Sequence, residues 1–215
     1  VLADDHFATI VAAVREGRAV YDNIRKFILF MLPTNGGEAL VVVAAILFEL
    51  TLPMSPAQVL WINMVTSSTL GLALAFEPAE GDVMRRPPRP PAESLLSRFF
   101  VWRVLMVSLL MMAAALGLFL WERGQGTAVE AARTMAVSAI VVAEMFYLVN
   151  SRFVLAPALS RTGLTGNRAV LWALAACLGL QLAFVHAPPL QAVFGSVALD
   201  AAAWQRRPRL YRMLS

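Results

Sequence analysis

The sequence predicts an all-α fold: a polytopic helical membrane bundle of about five transmembrane helices preceded by a cytoplasmic stalk helix. Hydrophobic residues make up 59% of its 215 residues, whereas soluble domains contain about 45–50%. Its mean hydropathy is +0.67. Five segments reach the roughly 20 mostly apolar residues that a membrane span needs. These segments are residues 27–49, 56–76, 99–121, 132–150 and 169–187.

The distribution of arginine and lysine predicts the orientation of the bundle. Arg25 and Lys26 precede the first segment, and arginine-rich loops follow the second and the fourth, whereas residues 50–55 contain neither amino acid. Short cytoplasmic loops carry the excess of Lys and Arg in membrane proteins. We therefore expect a multi-pass protein of a bacterial plasma membrane with its N-terminal end in the cytoplasm. These loops account for the net charge of +4, so the expected partner is the lipid bilayer and not nucleic acid.

The two ends of the chain differ from its apolar middle. Residues 6–26 place apolar side chains at helical spacing and predict the stalk helix, which runs into the first span without a stop signal. Residues 27–204 form the expected transmembrane domain, within which residues 189–204 are too short for a sixth span. Residues 205–215 are expected to be an aberrant or truncated tail, because their arginines follow an odd number of spans. The chain begins with Val1, which predicts a piece of a longer protein.

Five polar residues mark three of the apolar segments. They are Asn35 and Glu38 in the first segment, Asn63 and Thr66 in the second, and Glu144 in the fourth. A carboxylate at membrane depth costs about 2.5–3.5 kcal/mol on insertion scales, so it is tolerated beside a partner, a water-filled cavity or an ion. Side chains three residues apart share one face of a helix. We therefore expect these residues to form an ion site shared between helices.

Neighbouring residues in these segments have their own explanations. Pro33 removes a helical hydrogen bond, so we expect a bent and open backbone close to Glu38. Thr66 and Ser67 are equally consistent with hydrogen bonds between helices, which contribute about 0.6 kcal/mol on average. Arg103 lies near the cytoplasmic end of the third segment, and we expect its side chain to snorkel toward the interface.

Four stretches of the sequence resemble one protein family, the P-type cation-transporting ATPases, close to the calcium-pump branch. Residues 1–26, with LADDHFATIVAAVREGRAVYDNIRK, resemble the end of the phosphorylation domain and the stalk helix of these pumps. TNGGE is similar to the ion-binding stretch of their fifth membrane helix. LWINMVT, with LALAFEP and VMRRPPRPP, is similar to the sixth helix and its loop, and AEMFYLVNS to the eighth.

The resemblance implies that the chain is the membrane part of an ATP-driven cation pump. It implies the cation ligands residue by residue: Asn35, Glu38, Asn63, Thr66 and Glu144. Carboxylate and amide oxygens suit hard cations, and calcium, a monovalent cation and the proton all stay open. The D-K-T-G-T and T-G-D-G motifs of the family do not occur in the sequence, so we expect no catalytic and no cofactor-binding residues here. Mg²⁺ and ATP would bind the upstream actuator, nucleotide-binding and phosphorylation domains, which are the expected partners.

One residue departs from the pattern of the calcium pumps. Those pumps carry an aspartate directly after the threonine of the sixth helix, where this chain has Ser67. Loss of a carboxylate shared by two sites predicts that one cation is bound instead of two. Two alternatives to the pump also stay open, namely a stand-alone membrane module and a non-functional fragment without ATPase activity.

Overall fold

The computed structural model describes residues 6–79, 81–88, 97–152 and 167–199. Within these ranges the chain forms helices and turns and contains no strand. Its helices are α1 (Phe7–Leu47), α2 (Pro56–Thr66), a π-helical turn (Ser67–Gly71), α3 (Leu72–Ala75), α4 (Arg98–Gly124), α5 (Val129–Ser151), α6 (Arg168–His186) and α7 (Pro188–Phe194). The predicted tail at residues 205–215 lies outside the described residues.

Five helices of the described chain are long and apolar enough to cross a membrane. Four of them are α1, α4, α5 and α6, and the fifth is the continuous run Pro56–Ala75, which comprises α2, the π-helical turn and α3. Each overlaps one of the five predicted segments. The predicted all-α membrane bundle is thereby confirmed, while the division into stalk, transport domain and tail stays a prediction.

Helix α1 joins the stalk to the first span without interruption. Its 41 residues correspond to about 60 Å at 1.5 Å per residue, roughly twice the thickness of the hydrocarbon core of a bilayer. Pro33 lies inside the helix and does not end it. A displacement at the stalk end of α1 can therefore be passed along one continuous element to Glu38.

Helix α2 begins at a cap that its own sequence encodes. The Ser55 hydroxyl accepts a hydrogen bond from the Gln58 backbone N–H at 3.2 Å, and the Gln58 side chain accepts one from the Ser55 N–H at 3.0 Å. This reciprocal capping box satisfies two donors that a helix start leaves free. Pro56 occupies the first helical position, where its missing N–H costs nothing. The cap sets the start of the helix that carries Asn63 and Thr66.

Helices α1 and α4 approach closely at two glycines that follow Pro33. A Cβ atom added to Gly37 would lie 2.8 Å from the Met111 Cβ, and one added to Gly36 would collide with the Ser108 hydroxyl. The same hydroxyl donates a hydrogen bond to the Pro33 carbonyl at 2.9 Å. The glycines are therefore required by packing, which brings α4 against the stretch of α1 that carries Glu38.

A buried ion pair joins several elements at the stalk end of the bundle. Glu77, which follows α3, lies 2.7 Å from Arg152 at the end of α5, and both side chains are almost fully buried. Asn167, at the start of α6, donates to the other carboxylate oxygen at 2.9 Å. Asn23 of α1 donates to the Glu77 carbonyl at 2.8 Å. This junction holds the stalk, α5 and α6 in one arrangement.

The opposite end of the bundle is closed by α7 and the residues after it. The Trp61 ring packs on Phe184 and Phe194 at centroid distances of 5.2 and 4.9 Å. The Ser196 hydroxyl donates to the Phe184 carbonyl at 2.5 Å. Residues 188–199 therefore lie folded against α2 and α6, and α7 has seven residues.

The glycine contact yields a matched pair of substitutions. We expect Gly37→Ala to lower stability by about 1–3 kcal/mol, because the new methyl group overpacks against Met111. Gly17→Ala is the control, since Gly17 has no atom within 4 Å that a Cβ would meet, and alanine should stabilise an exposed helix there by about 0.5–1 kcal/mol. Thermal unfolding of the purified protein in detergent measures both. Equal unfolding temperatures for the two variants would contradict the close α1–α4 approach.

The junction at Glu77 yields a second prediction. Glu77→Gln should cost about 3–5 kcal/mol, because it removes the carboxylate charge that lies 2.7 Å from the buried Arg152 guanidinium. The control is Asp82→Asn, which removes an exposed carboxylate paired with Arg86 at 2.7 Å. Hydrogen bonds from Arg86 lower the pKa of Asp82, but an exposed pair contributes little to stability, so the unfolding temperature should barely change. The prediction fails if Glu77→Gln is as mild as Asp82→Asn.

Candidate cation site between α1, α2 and α5

Three helices bring four of the five predicted ligands together in the middle of the bundle. Glu38 of α1 is 4% exposed, and its Oε2 accepts a hydrogen bond of 2.7 Å from the Asn63 side chain of α2. Thr66, one turn after Asn63, is also buried, and Glu144 of α5 is fully buried. The Glu144 carboxylate lies near the Glu38 carboxylate, which repels it, and near the Thr66 side chain. We call Glu38, Asn63, Thr66 and Glu144 the carboxylate cluster.

The hydrogen-bond donors of the two neutral members of the carboxylate cluster are all in use. The Asn63 Nδ2 donates to Glu38 and, at 3.1 Å, to the Val59 carbonyl, so both amide hydrogens are occupied. The Thr66 hydroxyl donates to the Ile62 carbonyl at 3.0 Å. The capacity that remains on these side chains is therefore that of acceptor oxygen, namely the Asn63 Oδ1 and the lone pairs of the Thr66 hydroxyl. Neutral oxygen ligands together with carboxylates are the ligand set that suits a hard cation.

Glu144 is the member of the cluster whose charge is least compensated by its neighbours. Within the described part of the chain, neither of its carboxylate oxygens has a hydrogen-bond partner, and both are buried. A buried charge without a partner is strongly unfavourable, and the neighbouring Glu38 carboxylate adds repulsion. A cation or a proton bound between the two carboxylates relieves both penalties.

Two irregular features adjoin the cluster, namely the π-helical turn after α2 and Pro33 inside α1. Thr66 and Thr69 both donate to the carbonyl four residues earlier, Thr69 at 2.7 Å to Val65. Such bonds compete with the helical pattern and often bend helices. The π-helical turn Ser67–Gly71 follows Thr66 directly, and π-helical turns occur frequently at functional sites.

Asn35, which the sequence predicted at this site, and Ser67, which stands at the position of the calcium-pump aspartate, lie elsewhere in the structure. Asn35 is exposed, although three-residue spacing led us to expect it on the same face as Glu38. Three residues turn a helix by about 300°, so the two side chains point about 60° apart. At the edge of a buried face this difference leaves Glu38 buried and Asn35 exposed. Ser67 has its hydroxyl 4.0 Å from the Met31 sulfur, a contact with α1 outside the cluster. Asn35 therefore stays a predicted ligand that the described residues do not bring to the others.

The number of acidic groups at this site is small. Among the residues that the structure describes, no group of three or more His, Cys, Asp or Glu side chains could hold a metal ion. The cluster combines two carboxylates with one amide and one hydroxyl. It therefore relies on neutral oxygen ligands as well as charged ones.

Sequence analysis missed the side chains that surround Pro33. The Tyr147 hydroxyl donates to the Leu29 carbonyl at 2.9 Å. Arg103, which we expected to snorkel, is instead buried, with its guanidinium 5.6 Å from the centroid of the Tyr147 ring. The face of the Tyr147 ring and the two Asn150 oxygens, which accept hydrogen bonds of 3.3 Å, make this inward position favourable for the Arg103 guanidinium. Pro33 was the signal, since a proline inside a helix frees a carbonyl that a neighbour must satisfy.

The fold and the site define a helical membrane domain with two buried carboxylates in the middle of its bundle. The chain belongs to the family described as "Cation transporting ATPase, C-terminus", whose model matches residues 51–206. The resemblance to P-type cation pumps stated from the motifs is thereby confirmed, and the chain is a C-terminal membrane part of such a pump.

Individual relatives extend the match to nearly the whole chain. It is 47% identical to the probable cation-transporting ATPase F of Mycobacterium tuberculosis over 206 residues, which are 96% of this chain and 23% of the relative. It is 37% identical to a calcium-transporting ATPase of Bacillus subtilis over 95% of the chain and 23% of the relative. It is 31% identical to the human calcium-transporting ATPase type 2C member 1 over 93% and 22%. The chain thus spans less than a quarter of the length of these curated relatives.

Proposed function

We propose that the carboxylate cluster is the transport site of an ATP-driven cation pump. The observation that carries this proposal is the pairing of Glu38 with Asn63 at 2.7 Å beside Glu144, a fully buried carboxylate. In this proposal a cation lies between α1, α2 and α5, where it is held by Glu38, Asn63, Thr66 and Glu144. Asn35 joins them when another part of the full-length pump covers the exposed side of α1.

We propose a single hard cation as the cargo, with Ca²⁺ as the first candidate. Two of the relatives are named calcium-transporting ATPases, and oxygen ligands suit this ion. Ser67 contacts Met31 and supplies no carboxylate, so the cluster has two acidic ligands. A monovalent cation and the proton are the alternative cargoes, since Glu38 and Glu144 can also share protons.

The coupling that we propose runs along α1. ATP hydrolysis in the upstream domains moves the stalk, and α1 carries the movement to Glu38 as one continuous helix of 41 residues. The loop after α3 follows the stalk, because Arg18 donates to the Val83 and Arg86 carbonyls at 2.9 and 2.8 Å. Movement of Glu38 relative to Asn63 and Glu144 changes the access of the site. We propose that the stalk end lies in the cytoplasm, as the arginine distribution indicates, and that the bilayer is a bacterial plasma membrane.

Charge removal at the cluster tests the transport site. In the full-length protein, Glu38→Gln and Glu144→Gln should each raise the cation concentration for half-maximal ATPase activity by at least about tenfold, because each removes a charged ligand from a buried site. Glu130→Gln is the matched control, because Glu130 lies on the same helix as Glu144 but is exposed, and it should leave the half-activating concentration unchanged.

Two results would contradict the proposal. One is cation-stimulated ATPase activity in both cluster variants at the affinity of the wild-type protein. The other is a stable, membrane-inserted wild-type protein without cation-stimulated ATPase activity, which would favour a stand-alone membrane module or a non-functional product.

The number of transported ions is tested separately. Radiolabelled Ca²⁺ bound to the full-length protein should reach one ion per phosphorylation site, because only Glu38 and Glu144 supply charge to the cluster. The phosphorylated intermediate, formed from labelled ATP in the same preparation, counts the active sites. Two Ca²⁺ ions per phosphorylation site would refute the single-cation proposal. The proposal that the cluster is the transport site would be unaffected.

A further inference from the structure

Pro33 leaves one carbonyl of α1 without its helical partner. In an α-helix the carbonyl of each residue accepts from the N–H four residues later, and for Leu29 that residue is Pro33, which has no N–H. Leu29 is 2% exposed, so water does not replace the missing donor. A buried carbonyl without a partner is unfavourable by about 1–3 kcal/mol.

The hydroxyl of Tyr147 on α5 occupies the place of the missing donor. It donates to the Leu29 carbonyl at 2.9 Å across 118 positions of sequence. Tyr147 is itself 6% exposed, and its ring stacks on Phe30 at a centroid distance of 6.1 Å. The guanidinium of Arg103 lies over the same ring. These contacts hold the phenol in one orientation. The hydrogen bond therefore joins α5 to α1 at Leu29, one turn before Pro33.

The two partners of this hydrogen bond flank the two carboxylates of the cluster along the chain. Tyr147 follows Glu144 by three residues, which puts both on one face of α5. Leu29 and Pro33 precede Glu38 by nine and five residues on α1. The bond therefore ties the backbone of the Glu38 helix to the helix of Glu144 within about 13 Å of Glu38 along α1.

We propose that Tyr147 is a positioning residue for the cation site: its hydroxyl replaces the hydrogen bond that Pro33 removes and thereby sets the position of Glu38 relative to Glu144. This inference rests on the proposed transport site. Tyr147 does not touch the cation. It acts through the position of α1 relative to α5, which decides whether both carboxylates reach one ion.

A double-substitution cycle in the full-length protein tests this role. Tyr147→Phe removes the hydroxyl and keeps the ring with its contacts to Phe30 and Arg103. Pro33→Ala restores a backbone N–H that can bond the Leu29 carbonyl, so the hydroxyl is no longer needed. The four proteins of the cycle are compared by the Ca²⁺ concentration for half-maximal ATPase activity, by the maximum rate, and by the unfolding temperature in detergent.

We expect Tyr147→Phe alone to raise the half-activating Ca²⁺ concentration about three- to tenfold, as the loss of one buried hydrogen bond predicts. The maximum rate should barely change. In the Pro33→Ala background the same substitution should change the half-activating concentration by less than about twofold, because coupled sites are not additive. The unfolding temperatures should show the same coupling.

Three results would overturn the inference. Equal effects of Tyr147→Phe in both backgrounds would show that the hydroxyl does not act through the Leu29 carbonyl. Coupled unfolding temperatures with an unchanged half-activating concentration would reduce the bond to a structural contact. Absence of cation-stimulated activity in the wild-type protein would remove the proposed function and this role with it, whereas the first two results leave the transport site intact.

Discussion

Burial of two carboxylates inside an apolar bundle is the constraint on which the rest of this structure depends. Glu38 and Glu144 are withdrawn from water, and an isolated buried charge is far too unfavourable to persist. The described residues supply only a partial solution, because Asn63 hydrogen-bonds Glu38 and Glu144 has no such bond. In the proposed function the balance comes from a bound cation or proton, so the stability of the folded bundle and its capacity to bind a cation depend on the same interaction.

The backbone is irregular where this interaction occurs, and neighbouring helices compensate for each irregularity. Pro33 interrupts the hydrogen bonds of α1, and Tyr147 and Ser108 supply donors on either side of it. A π-helical turn follows Thr66 on α2. Irregular backbone at membrane depth is tolerated where neighbours satisfy it. The hydrogen bonds from Tyr147 and Ser108 hold α1, α4 and α5 in a single arrangement around the carboxylates.

A buried ion pair stabilises the bundle away from the carboxylate cluster. Glu77 and Arg152 neutralise each other at the stalk end, and Asn23 joins α1 to the same junction. The bundle therefore has one end that its own residues hold together, and α1 runs from that end to the carboxylate cluster. In the proposed function a bound cation completes the cluster. That arrangement suits a domain in which movement of the stalk must reach the centre.

The sequence by itself determined the class of fold and most of the candidate site. Apolar length predicted five spans, and the high cost of carboxylates in such spans singled out Glu38 and Glu144, because both signals are local properties of the chain. Only the tertiary structure decided which neighbours these residues meet. Helix rotation left Asn35 exposed, and the contact of Tyr147 with Leu29 joins positions 118 residues apart. Such partnerships depend on how helices pack, and packing is not encoded within any one segment.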